Sequence, residues 1–408
     1  MKAAAIAASG CALFILAGGA EIAWGRGKPP PSPPPASPDI VYMSSSSYAL
    51  NKPAIRGVAV TITGDTITST DQQLLKALDG RNRGSIVWSP DGLRYAWVEG
   101  RDPPTAKIMW AKPGKTPSVL YEPKVASDPH VWGGSDTLAW SNACSGAGSV
   151  LVFTRASKSD PVTELETEPA AIMGIDIDPA TPNLDPPAVH SPRLIRQVYY
   201  PNGFAFSPTG CYLVFNSGYG QNEKVSMVSM WPLSPTATTL MTWNDFSAPR
   251  YPYACDNEPL SACPCNGNDA KLCYDYPYPA VHSIDWSGDG RRLAMSVTVG
   301  QDPNYPWTDL KVAYLDGSEG SQSLSKVERI NFDAIFGSAS SEHSPQWGSG
   351  TANNECERLA FSQSAGASDG STMNGRRLYL YDHVTITTAC FSGPREIAAR
   401  EPRAIDWK

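Results

Sequence analysis

Two histidines stand in matching frames, His282-Ser283-Ile284-Asp285-Trp286 and His343-Ser344-Pro345-Gln346-Trp347, each four residues before a tryptophan. Imidazoles at equivalent positions of a repeat come together in space. With Asp128 or Asp285 as a partner they could hold a divalent metal, because neutral imidazole is a common ligand and a catalytic centre needs about three protein ligands. No third histidine shares the frame, since His130 lies two positions before Trp132. Each imidazole is therefore expected to hydrogen-bond the loop of a neighbouring unit, with a divalent metal at His282 and His343 as the alternative. Gln346, next to Trp347, keeps open a metal-dependent lyase or hydrolase.

Cys255, Cys263, Cys265 and Cys273 fall within nineteen residues, close enough for a four-thiolate zinc site. The Cys-Pro-Cys core lacks the two-residue gap that lets paired thiolates grip one tetrahedral ion, so disulfides are expected instead. The same stretch carries Trp243, Phe246, Tyr251, Tyr253, Tyr274, Tyr276 and Tyr278 among prolines. Such residues offer large amphipathic contact area at low entropic cost, which suits a recognition surface. Signatures of other enzyme classes fail. Gly366-Ala367-Ser368-Asp369-Gly370 fits the nucleophile-elbow string but falls between two strands, and Gly114-Lys115-Thr116 has Met109 where a phosphate loop needs glycine. Asp382-His383 has no serine partner at hand. No catalytic set emerges, and no cofactor is expected beyond the metal alternative.

These residues are positioned by a repeat. An aromatic residue closes a short run six times, at Trp88, Trp132, Phe206, Trp286, Trp347 and Trp407, and in the clearest copies Ser, Pro or Gly, Asp and Gly follow. The sharpest copy, Ser85 to Val98, reads as strand, tight turn and strand. Two further runs complete each unit, as with Lys107 to Ala111 and Ser118 to Glu122. At the C-terminus, Ala404 to Trp407 form a first strand with nothing after it, while Asp39 to Met43 and Arg56 to Thr63 have no first strand before them. Joined, they make one unit. The fold expected is all-β, a six-bladed β-propeller closed by pairing of the C-terminal strand with N-terminal strands, which removes exposed edges.

Composition agrees. Of 408 residues 37 are Pro and 34 Gly, as many short strands joined by turns require, and only 18% are charged. A formal net charge of -7 without basic clusters excludes a nucleic-acid footprint. The partner expected is a protein, peptide or glycan of the cell envelope, with a membrane involved only if the leader is retained or lipidated.

The repeat resembles the TolB-type propeller unit, a relative of the WD40-like repeats. Trp88 to Gly92, Phe206-Ser207-Pro208-Thr209-Gly210 and Trp286-Ser287-Gly288-Asp289-Gly290 carry the likeness, with Leu213-Val214-Phe215, Leu293-Ala294-Met295 and Leu359-Ala360-Phe361 in the strand that follows. The resemblance covers most of the chain and implies a fold that serves periplasmic scaffolds, peptidase accessory domains and a few lyases.

Irregularities locate additions. Long intervals on either side of Phe206 place insertions at Ala170 to Asn202 and Trp243 to Val281, both read as loops leaving the rim where first strands begin. The acidic residues of the earlier insertion, Asp176, Asp178 and Asp185, are expected to be solvated and not to bind calcium. Four positions before each key aromatic stand Gly84, Asp128, Asn202, His282, His343 and Arg403, expected to ring the channel mouth on that rim.

Lys2 followed by an apolar, small-residue run from Ala3 to Ala20 reads as a secretory signal peptide at 1–20, with Cys11 a lipidation candidate. Residues 21–38 are a proline-rich linker, and 39–408 form the propeller of a periplasmic or secreted protein. Eight cysteines then remain, and an oxidising compartment makes disulfides the default. Cys356 and Cys390 fall on one face and pair. Cys144 and Cys211 are placed on opposite faces and pair only by elimination, or remain free.

Overall fold

The computed structural model describes residues 38–44, 54–63, 66–76, 83–100, 105–125, 128–132, 136–144, 148–159, 166–178, 189–218, 222–246, 280–302, 305–336, 341–348, 356–364, 376–385, 393–398 and 402–407. All belong to one compact unit, Ser37–Lys408, and residues 1–36 divide off from it. Among the described residues no helix is long and apolar enough to cross a membrane.

Six four-stranded antiparallel sheets are strung along the chain. Blade 1 comprises Arg83–Trp88, Tyr95–Glu99, Lys107–Ala111 and Ser118–Tyr121, called A to D in order. Blade 2 is Leu138–Trp140, Ser149–Arg155, Ala171–Ile177 and Arg193–Gln197, and blade 3 is Asn202–Phe206, Tyr212–Ser217, Lys224–Ser229 and Thr238–Thr242. Blade 4 is Ala280–Trp286, Arg292–Asp302, Tyr305–Asp316 and Ser323–Arg329, and blade 5 is Ser341–Trp347, Cys356–Ser364, Arg377–Thr385 and Arg395–Ala398. Blade 6 takes its A strand, Pro402–Trp407, from the C-terminus and its others, Ile40–Ser44, Ala54–Thr63 and Thr66–Leu75, from the N-terminal part. The closing register pairs Ile40 with Trp407, Val41 with Asp406 and Tyr42 with Ile405. Each A strand contacts the A strands of both neighbouring blades, so the six form a closed inner ring. This is a six-bladed β-propeller, closed as the sequence predicts.

An apolar cluster fills each of the six gaps between blades. Val41, Met43 and Ile55 of blade 6 pack against Trp88, Tyr95 and Trp97 of blade 1, and Tyr42, Val58 and Ile405 meet Leu378 and Leu380 of blade 5. Tyr95 and Trp97 are fully buried. Each such side chain contributes about 1.5–3 kcal/mol, so stability is spread round the ring.

The Ser-Pro-Asp-Gly turn has a local cause. The Ser89 hydroxyl accepts the Arg94 N–H at 3.0 Å, and the Asp91 carboxylate takes the Leu93 N–H at 3.0 Å and the Arg94 guanidinium at 2.8 Å. Gly92 turns the chain at φ 63°, where a side chain would be strained. Ser287, Asp289, Gly290 and Arg292 repeat the arrangement in blade 4. Short polar side chains thus replace the backbone partners that a two-residue reversal leaves unmade.

Blade 2 corrects the sequence reading. Its A strand is closed by Trp140 in Leu138-Ala139-Trp140-Ser141, and Trp132 lies in the connection before it, 45% exposed. The supposed insertion from Ala170 to Asn202 contains strands C and D of this blade. Asp176 sits on strand C and accepts both Nε and Nη2 of Arg193, at 2.9 and 3.0 Å, so it belongs to a cross-strand ion pair and not to a solvated loop. The two proposed insertions therefore do not share one rim.

The same shift moves Cys144 into the A–B loop of blade 2, on the face of the A–B turn of blade 3 that carries Cys211. The two form a disulfide with Cα atoms 4.9 Å apart, bridging a separation of 67 residues. Replacing both with serine is expected to cost about 4.4 kcal/mol by the chain-entropy account. A urea titration checks this: the double variant should unfold at lower denaturant, and an unchanged midpoint would mean that the bridge adds no stability.

Candidate functional site

In five of the six A strands the ladder to strand B slips near the fourth and third positions before the key aromatic. The slips fall between Gly84 and Ile86, Asn202 and Phe204, Val281 and Ser283, His343 and Gln346, and Pro402 and Ile405. Ser85, Gly203 and Ser344 take positive φ values of 33°, 59° and 49° there. A bulge frees a residue from pairing and re-aims its neighbours, and it commonly borders a functional site. In blade 2 the short A strand starts just after Asp136, also at positive φ (54°), and Asp136 holds the fourth position before Trp140. The ring of fourth positions is thus Gly84, Asp136, Asn202, His282, His343 and Arg403.

Asp136 replaces Asp128. The latter caps its own loop, its carboxylate accepting N–H bonds from Lys124 at 2.7 Å and Val125 at 3.1 Å, which lower its pKa. Asp136 would have been found by aligning Trp140-Ser141 with Trp88-Ser89. The longer A–B loop of blade 2 lacks Pro-Asp-Gly and hides that alignment.

His282 acts electrostatically on His343 of the adjacent blade. Burial lowers the pKa of both, and for His343 the Arg376 guanidinium and His282 lower it further, so both are neutral at pH 7. His282 is nevertheless exposed to solvent. Both facts hold for a side chain lining a narrow open channel. The Thr308 hydroxyl donates to the Glu342 carbonyl at 2.7 Å and lies 3.1 Å from Nδ1 of His343, while Nη2 of Arg376 lies 3.3 Å from Nε2. Those partners assign the imidazole proton to Nδ1, with Nε2 accepting from the guanidinium. Arg376 also acts on Asp136, whose carboxyl burial pushes up to about 7. Arg376, between the B and C strands of blade 5, was invisible to sequence reasoning because it lies outside the repeat frame.

Asn202 joins a network that ties blade 3 to blade 4. The Asn216 amide donates to Asn202 Oδ1 at 2.8 Å and to Glu223 at 2.8 Å, and the Val281 N–H donates to Glu223 at 2.6 Å. Burial raises the Glu223 carboxyl to about 7. Asp382 and His383 are structural: Asp382 accepts the Arg358 Nε at 3.0 Å, and Nε2 of His383 lies 3.0 Å from the Tyr314 hydroxyl.

Asp285 and Gln346 lie elsewhere. Both stand immediately before their tryptophan and line a chamber at the turn end of the ring. Oδ2 of Asp285 accepts the Trp347 N–H of the next blade at 2.5 Å, and Oδ2 of Asp406 accepts the Trp88 N–H at 2.5 Å. Asp285 is thus not assembled with the two histidines, and among the described residues no three His, Cys, Asp or Glu side chains are grouped to hold a metal. Tyr251, Tyr253, Tyr274, Tyr276, Tyr278, Cys255, Cys263, Cys265, Cys273, Cys390 and Asp185 lie outside the described residues, as do the side chains of Trp243, Cys356 and Arg403.

Fold and turns together define a six-bladed propeller with TolB-like repeats. No family profile and no curated relative matches the chain. Among solved structures it is similar to TolB from Acinetobacter baumannii (13% identity, 90% of this chain and 66% of that one, TM-score 0.45). It is also similar to a putative TolB from Agrobacterium tumefaciens (12%, 82% and 87%, 0.46). A third likeness is to a chain of a nidogen/laminin complex (10%, 90% and 97%, 0.45). Neither activity nor partner follows from likenesses of this degree.

Proposed function

We propose that the protein is an exported, non-catalytic β-propeller that binds a protein, peptide or glycan partner of the cell envelope through the rim on which its A strands begin. The observation that carries this reading is the repeated bulge at Asn202, His282 and His343, with Arg376 against His343 and acting on Asp136 at the matching position of blade 2. Exposed aromatics flank the same rim. Trp132 precedes the A strand of blade 2, and Tyr199 and Tyr200, 65% and 70% exposed, precede that of blade 3. Thr154 links the two connections, its carbonyl accepting the Trp132 N–H at 2.9 Å and its hydroxyl donating to the Pro201 carbonyl at 3.0 Å. Tyr200 keeps a positive φ of 47°, a strain that is commonly retained for function. Export is supported by the apolar leader and agrees with the Cys144–Cys211 bridge.

The alternative, a metal-dependent lyase or hydrolase at His282 and His343, is disfavoured by Arg376, whose positive charge stands where a divalent ion would approach Nε2 of His343. Crosslinking in the native envelope tests the leading reading. Alanine at Trp132, Tyr199 and Tyr200 is expected to reduce partner capture at least about tenfold without lowering the melting temperature. Capture that survives this change, together with replacement of residues 247–279 by a short linker, would refute the rim assignment.

A further inference from the structure

The end of the ring opposite that rim holds a cavity of about 690 Å³. It is lined by the A–B turns, by the last residues of the A strands and by Ser85 and Asp136 deeper in the ring, and all six motif aromatics reach its wall, with Trp140, Phe206 and Trp407 partly exposed. Its charge is one-sided. Asp39, Asp91, Asp136, Asp285 and Asp406 line it, and no Lys, Arg or His is among the described lining residues.

Two of these carboxylates have a cation of the protein to answer them, since Asp91 pairs with Arg94 and Arg376 acts on Asp136, and Asp39 accepts the Val60 N–H at 2.8 Å. Asp285 and Asp406 are different. Each accepts backbone N–H bonds, no described cation acts on either, and they repel each other. Removing a carboxylate from water without a counter-charge is costly, so such a pair either takes up protons or is neutralised by a bound cation. A purely structural role as inter-blade fasteners does not account for them. The same position is Val87, Ala139 and Ala205 in blades 1, 2 and 3, and those blades close without any side-chain acceptor there.

We propose that this chamber binds a small organic ammonium ion whose positive charge neutralises Asp285 and Asp406. Its volume lies within the range of small-molecule pockets, and its lining alternates aromatic surface with carboxylates, as an alkylated cation requires. A bare divalent ion would need several oxygen ligands gathered round one point, and no such group occurs among the described residues. The chamber reaches the rim's ring of residues at Ser85 and Asp136 but carries Asp285 and Asp406 toward its turn end.

Calorimetric titration of the full chain with choline and with 1,4-diaminobutane, at pH 8 and low salt, tests the proposal. At least one should bind with a dissociation constant in the millimolar range or tighter. Asp285→Asn and Asp406→Asn, which retain an acceptor for the Trp347 and Trp88 N–H groups, should each weaken binding at least about tenfold while remaining folded. In the unaltered protein, affinity should fall as pH drops from 8 to 5 and the two carboxylates take up protons, with Asp39, Asp91 and Asp136 the other titratable groups on the lining. The proposal is overturned if neither amine binds, if the asparagine variants bind as well as the parent, if affinity does not change with pH, or if calcium binds stoichiometrically in their place.

Discussion

Deleting Pro402–Lys408 is expected to abolish the cooperative melting of the propeller. Those seven residues supply the whole A strand of blade 6, so without them Ile40, Val41 and Tyr42 lose their ladder partners and the inner ring has a gap. Ile405, 2% exposed, leaves the cluster shared with blade 5, and the Asp406 carboxylate no longer receives the Trp88 N–H of blade 1. Two inter-blade contacts fail together, a loss of about 5 kcal/mol or more against a total stability of roughly the same order. The exposed strand Ile40–Ser44 also becomes a template for association with other copies. Calorimetry of the truncated chain should show a broad transition with aggregation, partly restored by a synthetic peptide of the missing segment at millimolar concentration. A truncated chain that melts within about 2 °C of the parent would show that closure is not what stabilises the ring.

Asp285→Asn and Asp406→Asn are expected to stabilise the protein, and more so at pH 8 than at pH 5. Burial raises Asp285 from the ordinary 3.8 to about 7 and Asp406 well above 3.8, and the facing charges raise Asp406 further. A carboxyl with a raised folded pKa contributes stability that is complete below 3.8 and is lost as pH climbs through the folded value. The neutral amide does not titrate, so its advantage grows across this window. One pKa unit is about 1.4 kcal/mol, and partial exposure of both groups reduces the growth in advantage to about 1 kcal/mol each, or roughly 1–3 °C in melting temperature. His282 and His343, whose lowered pKa values act in the opposite direction below pH 6.5, are common to parent and variants and cancel in the difference. Melting curves at pH 5 and 8 decide: an advantage that shrinks with rising pH would mean that the two carboxyls are ionised and favourably solvated.

Most of the ring was legible because its turns carry their own chemistry. A serine, an aspartate and a glycine at fixed offsets make a reversal wherever they occur, and the matching of Trp407 to Tyr42 followed from strands that lacked a partner at each end. Blade 2 was misread because its A–B loop is long. With room to spare, that loop needs no Pro-Asp-Gly, and Trp132-Gly133-Gly134 imitates the missing signature. One wrong aromatic then moved Asp136 out of the ring, turned two strands into an insertion and put Cys144 on the wrong face. His282 and His343 were found because they sit in register with the repeat. Arg376 and the opposition of Asp285 to Asp406 depend on closure of the ring, a long-range fact that no local window contains.

The bulge in the A strands also separates what each blade holds constant from what it varies. Two positions before the key aromatic the residues are Ile86, Leu138, Phe204, Ile284, Pro345 and Ile405, all apolar; two positions earlier they are Gly84, Asp136, Asn202, His282, His343 and Arg403, with only histidine repeated. His282 and Arg403 fall in the gap of the ladder and Gly84, Asn202 and His343 stand at its edge, so side chains there can be exchanged while the apolar positions two residues on stay fixed. Selection can therefore rewrite the rim one blade at a time while the frame stays silent, and a residue transplanted from one blade to the same site in another should carry its chemistry with it. The propeller is in this sense a fixed wheel with interchangeable teeth.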